Sequence, residues 1–270
     1  MIDREDVVNT NNKQLIKLSD RMKCIADIVT PGKRVADIGC DHALVSIYLA
    51  QSGLAEKVIA MDVAQGPLSS AAKNIEKYGL SEKIETRLSD GMTALKPEET
   101  DAAVIAGMGG LLIVDILKKG LSPELSVITD QYELNLSPQS EIPEVRRFLR
   151  ENSFCIVDEQ MMQEDGKYYN IIKAIFRAPG NTADSATENI ENDTGKSVSD
   201  NRIKIADTYG EKLIQKKSPV LKKFLEEKIE KLNGIYCRLS KQTGENVIDR
   251  MAEINAEVDE ISKVLELLKG

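Results

Sequence analysis

A chain of 270 residues with 41% hydrophobic content can bury one large core or two modest ones, so it needs no disulfide or metal staple to fold. Its formal net charge of −8 excludes indiscriminate binding to nucleic acid but leaves local basic surfaces open, because phosphates respond to local fields. Cys24, Cys40, Cys155 and Cys237 stand too far apart for a metal knuckle or redox pair, and no apolar run approaches the ~20 residues of a bilayer span.

The polar start, Met1-Ile2-Asp3-Arg4-Glu5, has no signal-peptide character. The expectation is a cytoplasmic protein with free thiols, no metal, no membrane partner and a monomer as the favoured state. Leu15, Leu18, Met22, Ile25, Ile28 and Val29 recur at helical spacing, which predicts a helix from about Lys13 to Val29, stopped by Pro31-Gly32. Arg21 falls between those apolar positions and either reaches over the sheet edge toward substrate or is solvated. Strands at 34–38, 57–61, 83–88 and 101–106 then alternate with helices at 42–52, 66–78 and 110–119. That rhythm is a parallel sheet covered on both faces. A further strand lies within 125–137, followed by a helix from about Ile142 to Asn152. Strands Phe154–Met162 and Tyr168–Phe176 flank Glu164-Asp165-Gly166-Lys167, where Asp-Gly marks a hairpin turn. The fold class is therefore α/β and Rossmann-like, mostly parallel with a terminal antiparallel hairpin, the architecture associated with class I methyltransferases.

Residues 179–200 are small and polar, with 1 basic residue against 5 acidic, and read as a linker between a sheet domain, 1–178, and a tail, 201–270. Residues 201–241 carry 11 Lys+Arg against 5 Asp+Glu, a basic element beside an acidic connector. Helical spacing in the tail breaks at Gly210 and Pro219, and Met251, Ile254, Val258, Ile261 and Leu265 follow in steps of 3 and 4, as paired, coiled-coil-like helices require.

The chemistry gathers at the strand ends. Val35-Ala36-Asp37-Ile38-Gly39-Cys40-Asp41-His42-Ala43 reads as strand, tight turn and helix start, the place where open α/β sheets bind nucleotide-like ligands. Asp62, beside Val63, ends the second strand 23 residues after Gly39, and Asp90-Gly91 follows the third. S-adenosylmethionine offers each acid a partner: Asp37 the ammonium, with Gly39 allowing close approach, Asp62 the ribose hydroxyls, and Asp90 the adenine amine, with Met92 packing on the ring. The alternative for each acid is a helix N-cap or a solvated loop. NAD is disfavoured, because Gly39-x-Asp41-x-x-Leu44 lacks the second and third glycines of G-x-G-x-x-G. Ala106-Gly107-Met108-Gly109-Gly110 makes a side-chain-poor wall where a planar acceptor meets the donor, or else a flexible loop. His42, the lone histidine, reads as structural placement ahead of a general base.

The runs Arg34-Val-Ala-Asp-Ile-Gly-Cys-Asp-His-Ala, Ile105-Ala-Gly-Met-Gly-Gly and Glu164-Asp-Gly-Lys-Tyr-Tyr, with Tyr209-Gly and Lys217-Ser-Pro in the tail, together resemble the bacterial tRNA (adenine-22, N1)-methyltransferases. The resemblance covers 15–178 well and 201–240 more loosely. It implies an S-adenosylmethionine-dependent enzyme with a helical C-terminal domain, acting on a tRNA adenine. Adenine N1 carries a free lone pair, so positioning outweighs base catalysis, and Asp41 is the candidate to stabilise the cationic product ring. Arg146, Arg147, Lys216, Lys217, Lys222 and Lys223 are candidate phosphate contacts, against the alternative of solvated helix faces. With 4% aromatic content and no Trp, shape and phosphate contacts are expected to outweigh stacking. A small-molecule methyltransferase and a vestigial fold with a dimerising tail are the rival readings.

Overall fold

The computed structural model describes residues 15–178, 196–242 and 244–269. Seven strands form one sheet: β1 (Lys33–Ile38), β2 (Ala55–Asp62), β3 (Ile84–Leu88), β4 (Ala102–Ala106), β5 (Glu133–Ser137), β6 (Phe154–Glu164) and β7 (Lys167–Phe176). Their order is β3-β2-β1-β4-β5-β7-β6, with β7 antiparallel to both neighbours and the rest parallel. The chain runs outward from β1 through β2 to β3, then returns to β4 on the other side of β1. Between β1 and β4 the winding reverses, and loops from opposite directions open a crevice at the carboxyl edge.

Helices α1 (Asp20–Asp27), α2 (Leu44–Ser52) and α3 (Gln65–Lys77) cover one face, burying Ile25, Ile47, Val58, Val104 and Ile171. Helices α4 (Gly110–Leu121) and α5 (Ile142–Glu151) cover the other, over Ile38, Met61, Ile105, Leu134 and Leu136. Central β4 shows why its sequence is an apolar run: Ala102, Ala103, Val104 and Ile105 are all buried between the two layers. At the hairpin, Asp165 and Gly166 take φ of 49° and 75°, the paired left-handed geometry that Asp-Gly favours.

Three expectations are corrected. The first helix is shorter than 13–29: residues 15–19 are not helical, and the Ser19 hydroxyl accepts from the Met22 N–H at 3.3 Å to start the helix at Asp20. Leu18 and Ile16 still pack on the core, with the Ile16 N–H donating to Gln51 Oε1, so apolar spacing continues where the helix does not. Lys13 lies outside the described residues, as do 179–195 of the expected linker, whose last residues are already helical because α6 spans Lys196–Tyr209. The second strand begins at Ala55 and the hairpin strands run on to Glu164 and from Lys167, longer than their apolar runs.

The tail continues with α7 (Glu211–Gln215), α8 (Pro219–Leu239) and α9 (Glu245–Lys269), broken at Gly210 and capped anew by Ser218 before Pro219. Helices α8 and α9 pack as a pair around Leu225, Leu232, Ile254 and Ile261. Met161 of β6 belongs to the same apolar cluster, so the tail shares its core with the outer strand. No helix of the described residues is long and apolar enough to cross a membrane.

Candidate functional site

The β1 turn is pinned first by backbone. The N–H groups of Gly39 and Cys40 both donate to the Met61 carbonyl, at 2.8 and 2.9 Å. Of the five residues from Gly39 to Ala43, three are left-handed: Gly39 at φ 76°, Asp41 at 50° and Ala43 at 57°. Side-chain-bearing residues hold that conformation only where their surroundings impose it, and such strain gathers at functional sites. A Cβ on Gly39 would lie 2.2 Å from Met108 Cε, the movable tip of that side chain, and would be strained at φ 76°, so glycine suits the turn where the loops after β1 and β4 meet.

The acids sit in unlike surroundings. Asp37 is 5% exposed and accepts from the Ser46 hydroxyl at 2.6 Å. Burial raises its carboxyl to about 6, with Ser46 opposing and the Asp62 charge adding to the rise. Asp62 accepts from the Ala64 N–H at 2.9 Å, so it forms the turn into α3 as well as ending β2. Asp90 pairs with Lys119 at 2.5 Å on the surface. Val63 follows Asp62, Leu88 pairs with Asp62 across β2 and β3, and Leu111 and Leu112 begin α4; all four are exposed apolar side chains. Met92 is not among them: the left-handed Gly91 turns the chain inward, and Met92 is wholly buried with its sulfur against Gly120 of α4, out of reach of a ring. Asp41 and His42 are exposed and 3.7 Å apart, and His42 precedes the helix, which begins at Leu44. Burial pushes the Cys40 thiol well above its ordinary range, which makes it inert.

The β4 loop is laced to the β5 loop. The Gly107 N–H donates to Ser137 O at 3.2 Å, the Gln139 N–H to Met108 O at 2.9 Å, and the Gly110 N–H to Ser140 O at 3.1 Å. Ala106, Met108 and Gly109 are partly accessible and Gly107 is exposed. Gly110 is corrected: it is buried, and its Cβ would lie 2.4 Å from Ser140 O, so it is glycine for helix–loop packing and offers no face to substrate.

The basic residues divide. Arg21 does reach the carboxyl edge, its guanidinium 5.0 Å from the Tyr169 ring centre and its backbone N–H donating to Glu164 at 3.0 Å. Arg146 is corrected from a phosphate contact to a buried strut. It is 3% exposed, pairs with the 1% exposed Glu159 at 2.7 Å, and donates to the carbonyls of Asp207 and Thr208 and to Asn170 Oδ1, each at 3.1 Å. The sequence held a signal for this, since Arg146 lies four residues after Ile142 and three before Leu149, on the helix's apolar stripe. Arg147 pairs with Glu144, Lys216 with Asp158, Lys222 with Glu226, and Lys223 with Gln163 and Glu227. These heads are solvent-exposed and their pairs weak, and Lys217 is exposed too. Among the described residues no group of His, Cys, Asp and Glu is placed to hold a metal ion.

A methyltransferase-domain family model matches residues 18–172. The chain is 31% identical over 252 residues to the tRNA (adenine(22)-N(1))-methyltransferase of Bacillus subtilis, covering 90% of this chain and 98% of that one. A putative tRNA (m1A22) methyltransferase from Streptococcus pneumoniae, solved with S-adenosyl-L-methionine, superposes with a TM-score of 0.72 at 28% identity, covering 92% of this chain and all of that one. The M. capricolum enzyme TrmK, solved with S-adenosyl-homocysteine, gives a TM-score of 0.71 at 26% identity over 93% of this chain and 99% of that one. The chain therefore belongs to the tRNA (adenine(22)-N(1))-methyltransferase family.

Proposed function

We infer that this protein transfers a methyl group from S-adenosylmethionine to N1 of adenine 22 in tRNA. The observation that carries the reading is the contact of Gly39 with Met108, which brings the acid-lined β1 turn against the side-chain-poor β4 loop. The edge suits the donor: a buried carboxyl with no cationic partner among the described residues at Asp37, a left-handed glycine turn at Gly39, and exposed Val63 and Leu88 in the chain between Asp62 and Asp90. Bound there, the donor supplies an electrophilic methyl on a sulfonium.

This chain's residues bind and orient. Asp37 balances the ammonium of the methionine head, Asp62 accepts from the ribose hydroxyls, and Asp90 accepts from the adenine amine once it releases Lys119. Val63 and Leu88 cover the adenine faces. Ala106, Gly107 and Met108 leave room for the acceptor ring beside the methyl. Adenine N1 is unprotonated at neutral pH, so no residue removes a proton before attack, and catalysis rests on alignment. The ring gains positive charge as the bond forms, and Asp41, exposed in the strained turn, is the carboxylate that stabilises it. Arg21, Arg147, Lys216, Lys217, Lys222 and Lys223 supply phosphate contacts, and the tail, 201–270, serves as the RNA-facing domain. Reaching the base requires taking it from its stack.

The test is incubation with labelled S-adenosylmethionine, intact tRNA, tRNA with guanine at position 22, and a metabolite pool. Label in intact tRNA alone is expected. Label in the substituted tRNA would move the target base, and label in the pool would replace tRNA with a small molecule.

A further inference from the structure

A cleft of about 270 Å³ opens where α5, the hairpin and the tail meet, away from the acids that suit the donor. One wall is the start of α5, Glu141 to Pro143, and the others carry Tyr168, Tyr209 and Phe224. The chain has 7 Tyr, 4 Phe and no Trp, so three of its few rings converge on one opening. Tyr168 and Phe224 meet edge to face at 5.1 Å, which leaves ring surface toward the cleft. The volume falls below the roughly 300 Å³ at which drug-sized ligand sites begin, and suits a single flat ring system.

The cleft is held open by charge below it. Arg146 and Asn170 line it, and Arg146 is bound on all sides by Glu159, Asn170 and the tail carbonyls of Asp207 and Thr208. Gly210 crosses so close that its Cβ would lie 2.8 Å from Arg146 Nη2 and 2.9 Å from Glu159 Oε2. The Lys212 N–H donates to the same Glu159 at 3.1 Å, and Arg150 pairs with Asp207 at 2.8 Å. A paired charge cluster with no slack fixes the spacing of sheet and tail. Asn170, its Oδ1 held by Arg146, has its amide N–H groups left as donors to a ligand.

We propose that this cleft receives a nucleobase of the tRNA next to the methylated adenine, seated against the Phe224–Tyr168 pair with its face on one ring and its edge toward the other. The proposal rests on the tRNA reading above and extends it. Continuity with the acceptor loop points to this occupant: Ser140 and Glu141, which touch Gly109 and Gly110, lead directly into the cleft wall at Ile142. Drawing one adenine from its stack strips a neighbour of its partner, and aromatic side chains replace such stacking. The scarcity of rings in the sequence thus conceals their concentration at one place.

The experiment is steady-state methyl transfer by wild type, Phe224→Leu and Tyr168→Leu, on intact tRNA and on tRNAs made abasic at either neighbour of adenine 22. Leucine keeps apolar filling and removes the ring, and thermal unfolding and calorimetry with S-adenosylmethionine verify fold and donor site. Each variant is expected to raise KM for intact tRNA roughly tenfold, the low end of a lost base–ring stack, with kcat and donor affinity unchanged. Removing the right neighbour should cost wild type a similar factor and the variants nothing further. Unchanged KM, or losses that simply multiply at both neighbours, would overturn the proposal. Failure of wild type to methylate intact tRNA would instead sink the tRNA reading, in an arm that contains no variant.

Discussion

Replacing Asp37 by Asn separates the cost of the donor site from its use. Asp37 rises from 3.8 to about 6 on folding, chiefly through burial, so at neutral pH its charge opposes the folded state. Roughly two pK units correspond to about 3 kcal/mol. The asparagine keeps an acceptor for Ser46 but buries an amide N–H₂ with poorer partners, returning about 1 kcal/mol. The variant should therefore be more stable by about 2 kcal/mol at neutral pH, which in a chain of this size lifts Tm by about 4–8 °C. The sign follows from proton count: between the two pKa values the folded protein holds the proton that the unfolded chain has lost, so wild-type stability falls as pH rises from about 4 through about 6. Calorimetric unfolding of both proteins should show the gap shrink by about 3 kcal/mol, and so change sign, as pH falls from neutral to well below the unfolded value of 3.8, where Asp37 is neutral in both states. Affinity for S-adenosylmethionine should drop at least tenfold at neutral pH, because the donor's ammonium has lost its carboxylate partner. A less stable Asn variant at neutral pH, or a gap that ignores pH, would refute the reasoning.

Asp62→Ala should weaken donor binding by at least tenfold in titration calorimetry, since a hydrogen bond to a charged group is worth about 1.5–3 kcal/mol, whereas unchanged affinity would remove it from the site. Replacing Lys216, Lys217, Lys222 and Lys223 together should flatten the salt dependence of tRNA binding by roughly 0.7–0.9 log units per lost contact, with donor affinity constant, and parallel slopes would return them to solvated faces. Limited proteolysis should cut first within 179–195, the small, acidic stretch, and the nicked halves should co-elute on gel filtration because Arg146, Glu159 and Met161 bind tail to sheet. Initial cleavage inside 33–110 would contradict that division.

What could be read from the sequence was whatever short-range pattern carries. The alternation of apolar runs placed the parallel strands, Asp-Gly placed the hairpin, and Asp37, Asp62 and Asp90 fall at or just past the carboxyl ends of β1, β2 and β3. Side-chain direction at the loops was not legible: Met92 and Gly110 sit in glycine-bearing stretches, yet packing against Gly120 and Ser140 turns both inward. Arg146 failed for another reason. Its partners lie 13, 24, 61 and 62 residues away on a strand, its neighbour and a tail helix, and no local period reveals that they converge. A charge within a basic triplet looks like surface until its counterion is located.

Strand β6 is the last in the sheet, eleven residues long, and among the described residues no other strand claims its outer flank. Long bare edges recruit foreign strands, and this one is defended twice. Its register slips between Ile156 and Asp158, and beyond that irregularity Lys216 bonds Asp158 and the Glu159 carbonyl while Lys212 bonds the Glu159 side chain. The tail is thus also a guard against self-association. A chain ended at residue 178 would uncover that flank together with Met161, and its foremost handicap would be clumping in concentrated solution, well before any deficit in methyl transfer could be measured.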